Sequence, residues 1–264
     1  MARREGTLMT TRTTPPNGAP CWLDLSTTDE AASRRFYTGL FGWHANEPVA
    51  EFGGYSTFDR NGAPVAGLMP AQGDNAGHDG WGIYLAAEDA AATLDAAASN
   101  GGTVASPAMR VAELGTMGLV TDPDGALIGV WQPEQHQGFV EYAVDGAPGW
   151  FELHTDRYQD VLDFYRTVFG WDTATESDTP QFRYTTMRNG EEQLAGVMDG
   201  SGMPDADKGW SVYFAADDVD ATGARAVELG ARLVRPAEDT PYGRLAVLDD
   251  PNGARFKLVG PNNG

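Results

Sequence analysis

The sequence predicts an α+β fold in which four βαβββ units make two tandem domains with curved mixed sheets. Three observations carry this: the chain repeats itself, each half repeats the same order of elements, and each half closes on the same turn chemistry. With an offset of 128, Trp22, Leu25, Thr27, Phe36, Tyr37, Phe41, Gly42 and Trp43 fall on Trp150, Leu153, Thr155, Phe164, Tyr165, Phe169, Gly170 and Trp171. An offset of 129 pairs Gly67, Trp81, Tyr84 and Asp89 with Gly196, Trp210, Tyr213 and Asp218. The expected division is a disordered tail over 1–18, a first domain over 19–134, a linker over 135–147 holding Gly138 and Gly146, and a second domain over 148–264.

Trp22 to Ser26 alternates as a strand does, and Thr27, Asp29 and Glu30 supply helix-start chemistry before Ala32, Phe36 and Leu40. The matching helix runs through Val161, Leu162, Tyr165, Val168 and Phe169, and Gly42 and Gly170 stop the pair. Strands at Trp81 to Ala86 and Trp210 to Ala215 open the second unit of each half, followed by alanine-rich helices that break at Gly101-Gly102 and Gly230. Asp122-Pro123-Asp124-Gly125 and Asp250-Pro251-Asn252-Gly253 then turn the closing hairpins, with proline in the turn and glycine where φ must be positive.

With 18 basic and 38 acidic side chains the formal charge is -20, which repels a phosphate backbone and excludes nucleic acid and anionic membranes as expected partners. Cys21 is the single cysteine, so an intramolecular disulfide and a thiolate metal cluster within one chain are both excluded. Arg3, Arg4 and Arg12 precede no long apolar run, so neither a secretion signal nor a membrane span is expected, and the reading is a cytoplasmic monomer or homodimer. Phosphate loop, nucleophile elbow and dinucleotide fingerprint are all missing, and no cofactor is expected.

The helix text RRFYTGLFGW and LDFYRTVFGW, with the hairpin text TDPDGALIGVW and DDPNGARFKLV, resembles the vicinal oxygen chelate superfamily. That superfamily includes glyoxalase I, extradiol dioxygenases, and fosfomycin and bleomycin resistance proteins. The resemblance spans Pro20 to Pro261 and implies two glyoxalase-like domains. It also implies metal ligands at set strand positions, and those positions hold Trp22 and Trp150, Gly82 and Ser211, Gly129 and Lys257, with Ala66-Gly67 and Ala195-Gly196 at the fourth. These residues offer no zinc or hard-cation set, so the expectation is metal: none. A metal-dependent glyoxalase or extradiol dioxygenase remains the alternative, because the superfamily shares a scaffold and not a reaction.

Strand alternation places Trp22, Asp24 and Ser26 on one face and Trp150, Glu152 and His154 on its counterpart. Tyr84, Tyr213 and Trp131 follow the same rule from Gly82, Ser211 and Gly129. Trp22, Tyr84, Trp131, Trp150 and Tyr213 are the expected walls of a cavity for an aromatic or polycyclic small molecule; the competing reading of each is plain core. Asp24, Glu152 and His154 are the candidate catalytic groups, since a buried carboxylate with a raised pKa can serve as acid or base in metal-free lyase, isomerase or hydroxylation-related chemistry. The competing reading is a salt bridge or a solvated cavity mouth. His44, His78 and His136 read as loop residues without a role, and Glu113 and Tyr242 as weaker cavity candidates. The expected setting is antibiotic resistance or secondary-metabolite biosynthesis, by binding or by metal-free catalysis.

Overall fold

Alternating apolar residues at the start of each half become the central strands of two eight-stranded sheets. The computed structural model describes residues 10–11, 13–72, 77, 79–203 and 207–264; His78 lies outside them. In chain order the first half contains β1 (Thr10–Thr11), β2 (Pro20–Thr27), α1 (Glu30–Phe41), β3 (His44–Ala45), β4 (Ser56–Arg60), β5 (Ala63–Pro70), β6 (Gly80–Ala86), α2 (Ala90–Ser99), β7 (Thr103–Val111), β8 (Gly115–Thr121) and β9 (Leu127–Pro133). After β10 (Glu141–Tyr142) the second half repeats it with β11 (Pro148–Thr155), α3 (Tyr158–Phe169), β12 (Asp172–Thr179), β13 (Phe182–Asn189) and β14 (Glu192–Asp199). Its second unit is β15 (Gly209–Ala215), α4 (Val219–Glu228), β16 (Arg232–Thr240), β17 (Gly243–Asp249) and β18 (Arg255–Gly260). The four βαβββ units are all present.

The first sheet runs β3-β4-β5-β2-β6-β9-β8-β7 and the second β12-β13-β14-β11-β15-β18-β17-β16. Units therefore pair within a half, through the antiparallel contacts β2 with β6 and β11 with β15. Parallel neighbours flank each central pair, which makes the sheets mixed and leaves them open at both edges. Asp29 caps α1 by accepting from the Ala32 N–H, and Gly42 ends the helix with φ at 68°, a conformation that suits glycine.

The two halves are locked by matched contacts. Tyr37 of α1 donates to Asp250 Oδ2 (3.2 Å), and Tyr165 of α3 donates to Asp122 Oδ2 (3.3 Å). Each acceptor is the first residue of the other half's Asp-Pro-x-Gly turn, whose other oxygen takes two backbone N–H groups of that turn. The motif read as a hairpin turn is thus also a docking point. Burial raises the pKa of both aspartates.

The tail expected over 1–18 is corrected at its end. Gly18 N–H donates to Ala86 O (2.8 Å) and Trp171 Nε1 donates to Gly18 O (2.9 Å), so Gly18 is anchored by both halves. The expected linker likewise makes structure, because β10 pairs with β1 and Trp43 Nε1 donates to Gly146 O (2.7 Å). Buried donors and acceptors need partners, and these backbone carbonyls supply them.

Candidate functional site

In the second half the curved sheet encloses a cavity of about 700 Å³. Its walls are mostly apolar, from Met198, Leu245, Val247 and Val259, with Trp150 and Tyr213 from the central strands. Phe182, Tyr184 and Tyr242 make a further wall, with ring centroids 5.6 to 6.0 Å apart. Tyr242 is 57% exposed and forms a lip of the opening. Size and lining suit a small molecule with flat apolar surface.

One carboxylate organises the polar floor. Glu152, in the middle of β11, is 9% exposed. Its Oε1 accepts from Tyr213 OH and contacts His154 Nε2, both at 2.6 Å, while Oε2 accepts from Tyr184 OH (2.8 Å). Lys257 Nζ lies 3.9 Å from Oε1 and donates to Tyr213 OH (3.1 Å). Trp150 Nε1 donates to Tyr184 OH (3.0 Å), which ties the wall to the floor.

Local backbone makes this approach possible. Gly196 sits opposite Glu152 on β14, and a Cβ there would come within 1.9 Å of Tyr184 OH. Any side chain at that position would break the Tyr184 to Glu152 bond, so the glycine is required. The equivalent Gly67 stands opposite Asp24, where a Cβ would meet Asp24 Oδ1 at 1.9 Å.

Burial alone would push the Glu152 carboxyl up, but the His154 hydrogen bond, the Lys257 charge and the Tyr213 hydroxyl outweigh it and hold the pKa at about 2. Glu152 is therefore a fixed anion, in contrast to the raised carboxyl expected from the sequence. Burial pulls the Lys257 ammonium down from its ordinary value, against the attraction of Glu152. Because an ionised carboxylate only accepts, His154 donates through Nε2. His154 Nδ1 is buried without a protein partner and belongs to a residue that lines the cavity.

The first half uses the same frame differently. Trp22 Nε1 and Tyr55 OH both donate to Asp24 Oδ1 (2.8 Å each), but Ser26 replaces His154 and Gly129 replaces Lys257. Burial raises the pKa of Asp24, only partly countered by its hydrogen bonds from Tyr55, Tyr84 and Trp22. The Tyr84 ring occupies the space that a side chain at 129 would need, since a Cβ on Gly129 would sit 2.1 Å from it. His136 then packs edge-on against Trp22 (4.3 Å) and lies 5.7 Å from Trp131, whose Nε1 donates to His136 O. Trp22, Tyr84 and Trp131 are 4, 7 and 6% exposed, and His136 from the linker packs over Trp22 and Trp131. Burial lowers the His136 pKa to about 4.

The remaining candidates separate. His44 is exposed on β3, and Glu113 pairs with Arg110 at the surface (3.1 Å). Sequence reasoning missed Tyr184 and Tyr55, which the 129 offset pairs, and treated Lys257 only as an obstacle to a metal. It also gave no role to His136. The family positions for a metal hold Trp150, Ser211, Lys257 and Gly196, and the nearby carboxylate is engaged by three protein groups beside an ammonium. Among the described residues no three His, Cys, Asp or Glu side chains gather as ligands. A divalent cation does not fit this donor set.

Sheet order, duplicated units and a cavity inside the curved sheet define a class of small-molecule proteins, and comparison identifies it. The family model of the Glyoxalase/Bleomycin resistance protein/Dioxygenase superfamily matches residues 21–130 and 147–258, and the chain belongs to that superfamily. Among relatives, CFP32 of Mycobacterium tuberculosis, which bears a glyoxylase name, is 38% identical over 249 residues, covering 92% of this chain and 95% of its own. The anthracycline biosynthesis protein DnrV of Streptomyces peucetius is 38% identical over 261 residues, covering 92% and 93%. The Mn(II)-bound glyoxalase of Novosphingobium aromaticivorans superposes with a TM-score of 0.66 at 17% identity, covering 92% of this chain and 82% of its own. The 2,3-dioxygenase LapB of Pseudomonas sp. KL28 gives 0.64 at 13%, covering 95% and 94%. These two structures share the fold. No helix among the described residues is long and apolar enough to cross a membrane.

Proposed function

We propose that this protein binds a polycyclic aromatic metabolite in the cavity of its second half, without a metal ion, in secondary-metabolite biosynthesis or resistance. The observation that carries the reading is the cavity itself: about 700 Å³ of aromatic and aliphatic wall over a floor of Glu152, His154 and Lys257. Flat rings fit such walls, and a few fixed polar groups orient them. Similarity to a protein named for anthracycline biosynthesis supports a fused-ring ligand. The carboxylate already engaged by three protein groups and the neighbouring ammonium support chemistry without a metal.

Within that cavity the roles follow from the contacts. Glu152 orients His154 and balances charge, as a carboxylate does behind a catalytic imidazole. His154 presents Nδ1 to the ligand as the proton-transfer group, while Trp150 and Tyr213 pack against the rings. Asp24, with no imidazole or ammonium beside it, has a structural part. The ligand-binding role expected of Trp22, Tyr84 and Trp131 is replaced here by support of the linker plug.

Calorimetric titration of chelator-dialysed protein with a planar hydroxyanthraquinone tests this. The expected result is saturable binding, weakened at least about tenfold by Trp150→Ala, a loss of about 1.4 kcal/mol, and unchanged by added zinc or manganese. Binding or turnover that appears only with a stoichiometric divalent metal would restore the glyoxalase or dioxygenase reading.

A further inference from the structure

Two polar groups on the cavity floor are left for a ligand. His154 is 7% exposed, and its Nδ1 has no protein partner. Lys257 Nζ is the other; it approaches the same oxygen of Glu152 that His154 Nε2 contacts, and it has donor capacity beyond its bond to Tyr213. In the tautomer that commits Nε2–H to Glu152, Nδ1 carries the lone pair, so a ligand atom that meets it as a donor must carry a hydrogen. The Lys257 charge disfavours an ammonium there and favours a group that becomes negative on losing its proton.

We infer that the ligand presents an acidic hydroxyl, a phenol or an enol, to His154 Nδ1 and is held as its oxyanion beside Lys257. This rests on the proposed aromatic ligand and adds the functional group by which the site selects it. The step is one proton transfer: the ligand O–H bond breaks, an Nδ1–H bond forms, and the electron pair stays on oxygen. Glu152 compensates the imidazolium and Lys257 the oxyanion, so charge balances with no oxidant or reductant. Tyr184 and Tyr213 face the same floor and spend their hydroxyl protons on Glu152, which leaves His154 as the acceptor. Glu176, Arg235 and Glu238 also line the cavity, and Glu176 is paired with Arg188 (2.7 Å).

The probe is a hydroxyanthraquinone whose visible band moves to the red on ionisation, compared with its O-methyl ether. On the full-length protein we expect the anion spectrum at a pH where the free probe is neutral, its apparent pKa falling by at least about one, a tenfold effect. The ether should bind at least about tenfold more weakly. His154→Gln, which keeps the polar volume, should bind the probe in its neutral form, and Lys257→Met should lose most of the pKa shift. Circular dichroism confirms the fold of each variant, and a misfolded variant leaves the wild-type spectrum and the ether comparison to decide. A bound probe that stays neutral, or an ether that binds as well as the phenol, overturns the inference while the aromatic cavity stands. Failure of both probes to bind overturns the cavity reading and this inference together.

Discussion

Two residues beyond each strand tryptophan the halves carry a carboxylate, Asp24 and Glu152, in opposite electrostatic surroundings. Glu152 has His154 and Lys257, and its pKa falls from 4.5 to about 2; Asp24 has neither, and its pKa rises from 3.8. The linkage signs therefore differ. A depressed folded pKa gives stability that is present above pH 4.5 and lost as pH falls toward about 2, on the order of 3 kcal/mol for this shift. A raised folded pKa gives stability that is fully present below pH 3.8 and lost as pH rises. Glu152→Gln should thus lower the melting temperature at pH 7, with the deficit shrinking below pH 4.5. Asp24→Asn should raise it at pH 7, with the gain vanishing below pH 3.8. Thermal unfolding of both variants at pH 3 and pH 7 checks this, and equal effects of the two substitutions would contradict it. At this scale the sequence put Trp150, Glu152, His154 and Tyr213 on one face, and all four line the cavity, because period-two alternation is local. It did not reveal the sign of the Glu152 shift, to which the His154 hydrogen bond contributes most and the charge of Lys257, arriving from β18 about a hundred residues later, adds.

The segment between the domains packs over the aromatic face of the first half. Its His136 fills the space over Trp22 and Trp131, and Phe139 N–H donates to Cys21 O (2.9 Å). Gly138 between them has φ at 106°, and a Cβ there would meet Cys21 O at 2.1 Å. Gly138→Ala should therefore cost more than about 1 kcal/mol in chemical denaturation, from strain at positive φ plus the clash. The depressed His136 pKa adds stability that is present above pH 6.5 and lost as pH falls through about 4. His136→Phe should remove that part of the acid loss, and a stability profile unchanged between pH 6.5 and 4 would contradict the plug. Glycine and polar residues around 135–147 read as a linker because they lack periodicity. Such composition does not say what the segment packs against.

At the scale of the whole chain, two copies of one frame carry different polar residues at matched positions. Repeat offsets, helix caps and Asp-Pro-x-Gly turns made the fold legible, since each is a short-range signal that recurs in register. The coupling of the halves was not legible: Tyr37 to Asp250 and Tyr165 to Asp122 span 213 and 43 residues, and nothing local marks them. Matched crossing contacts hold the halves as one unit, while Ser26 and Gly129 against His154 and Lys257 leave only the second half with the dyad and the ammonium. The proposed function places one metal-free aromatic site on each chain, between β11, β15 and β18. Native mass spectrometry of chelator-dialysed protein titrated with a hydroxyanthraquinone tests that claim most directly. The expected result is a single ligand and no metal on each chain at saturation; two ligands per chain, or a ligand that appears only together with a bound divalent metal, would contradict the proposed function.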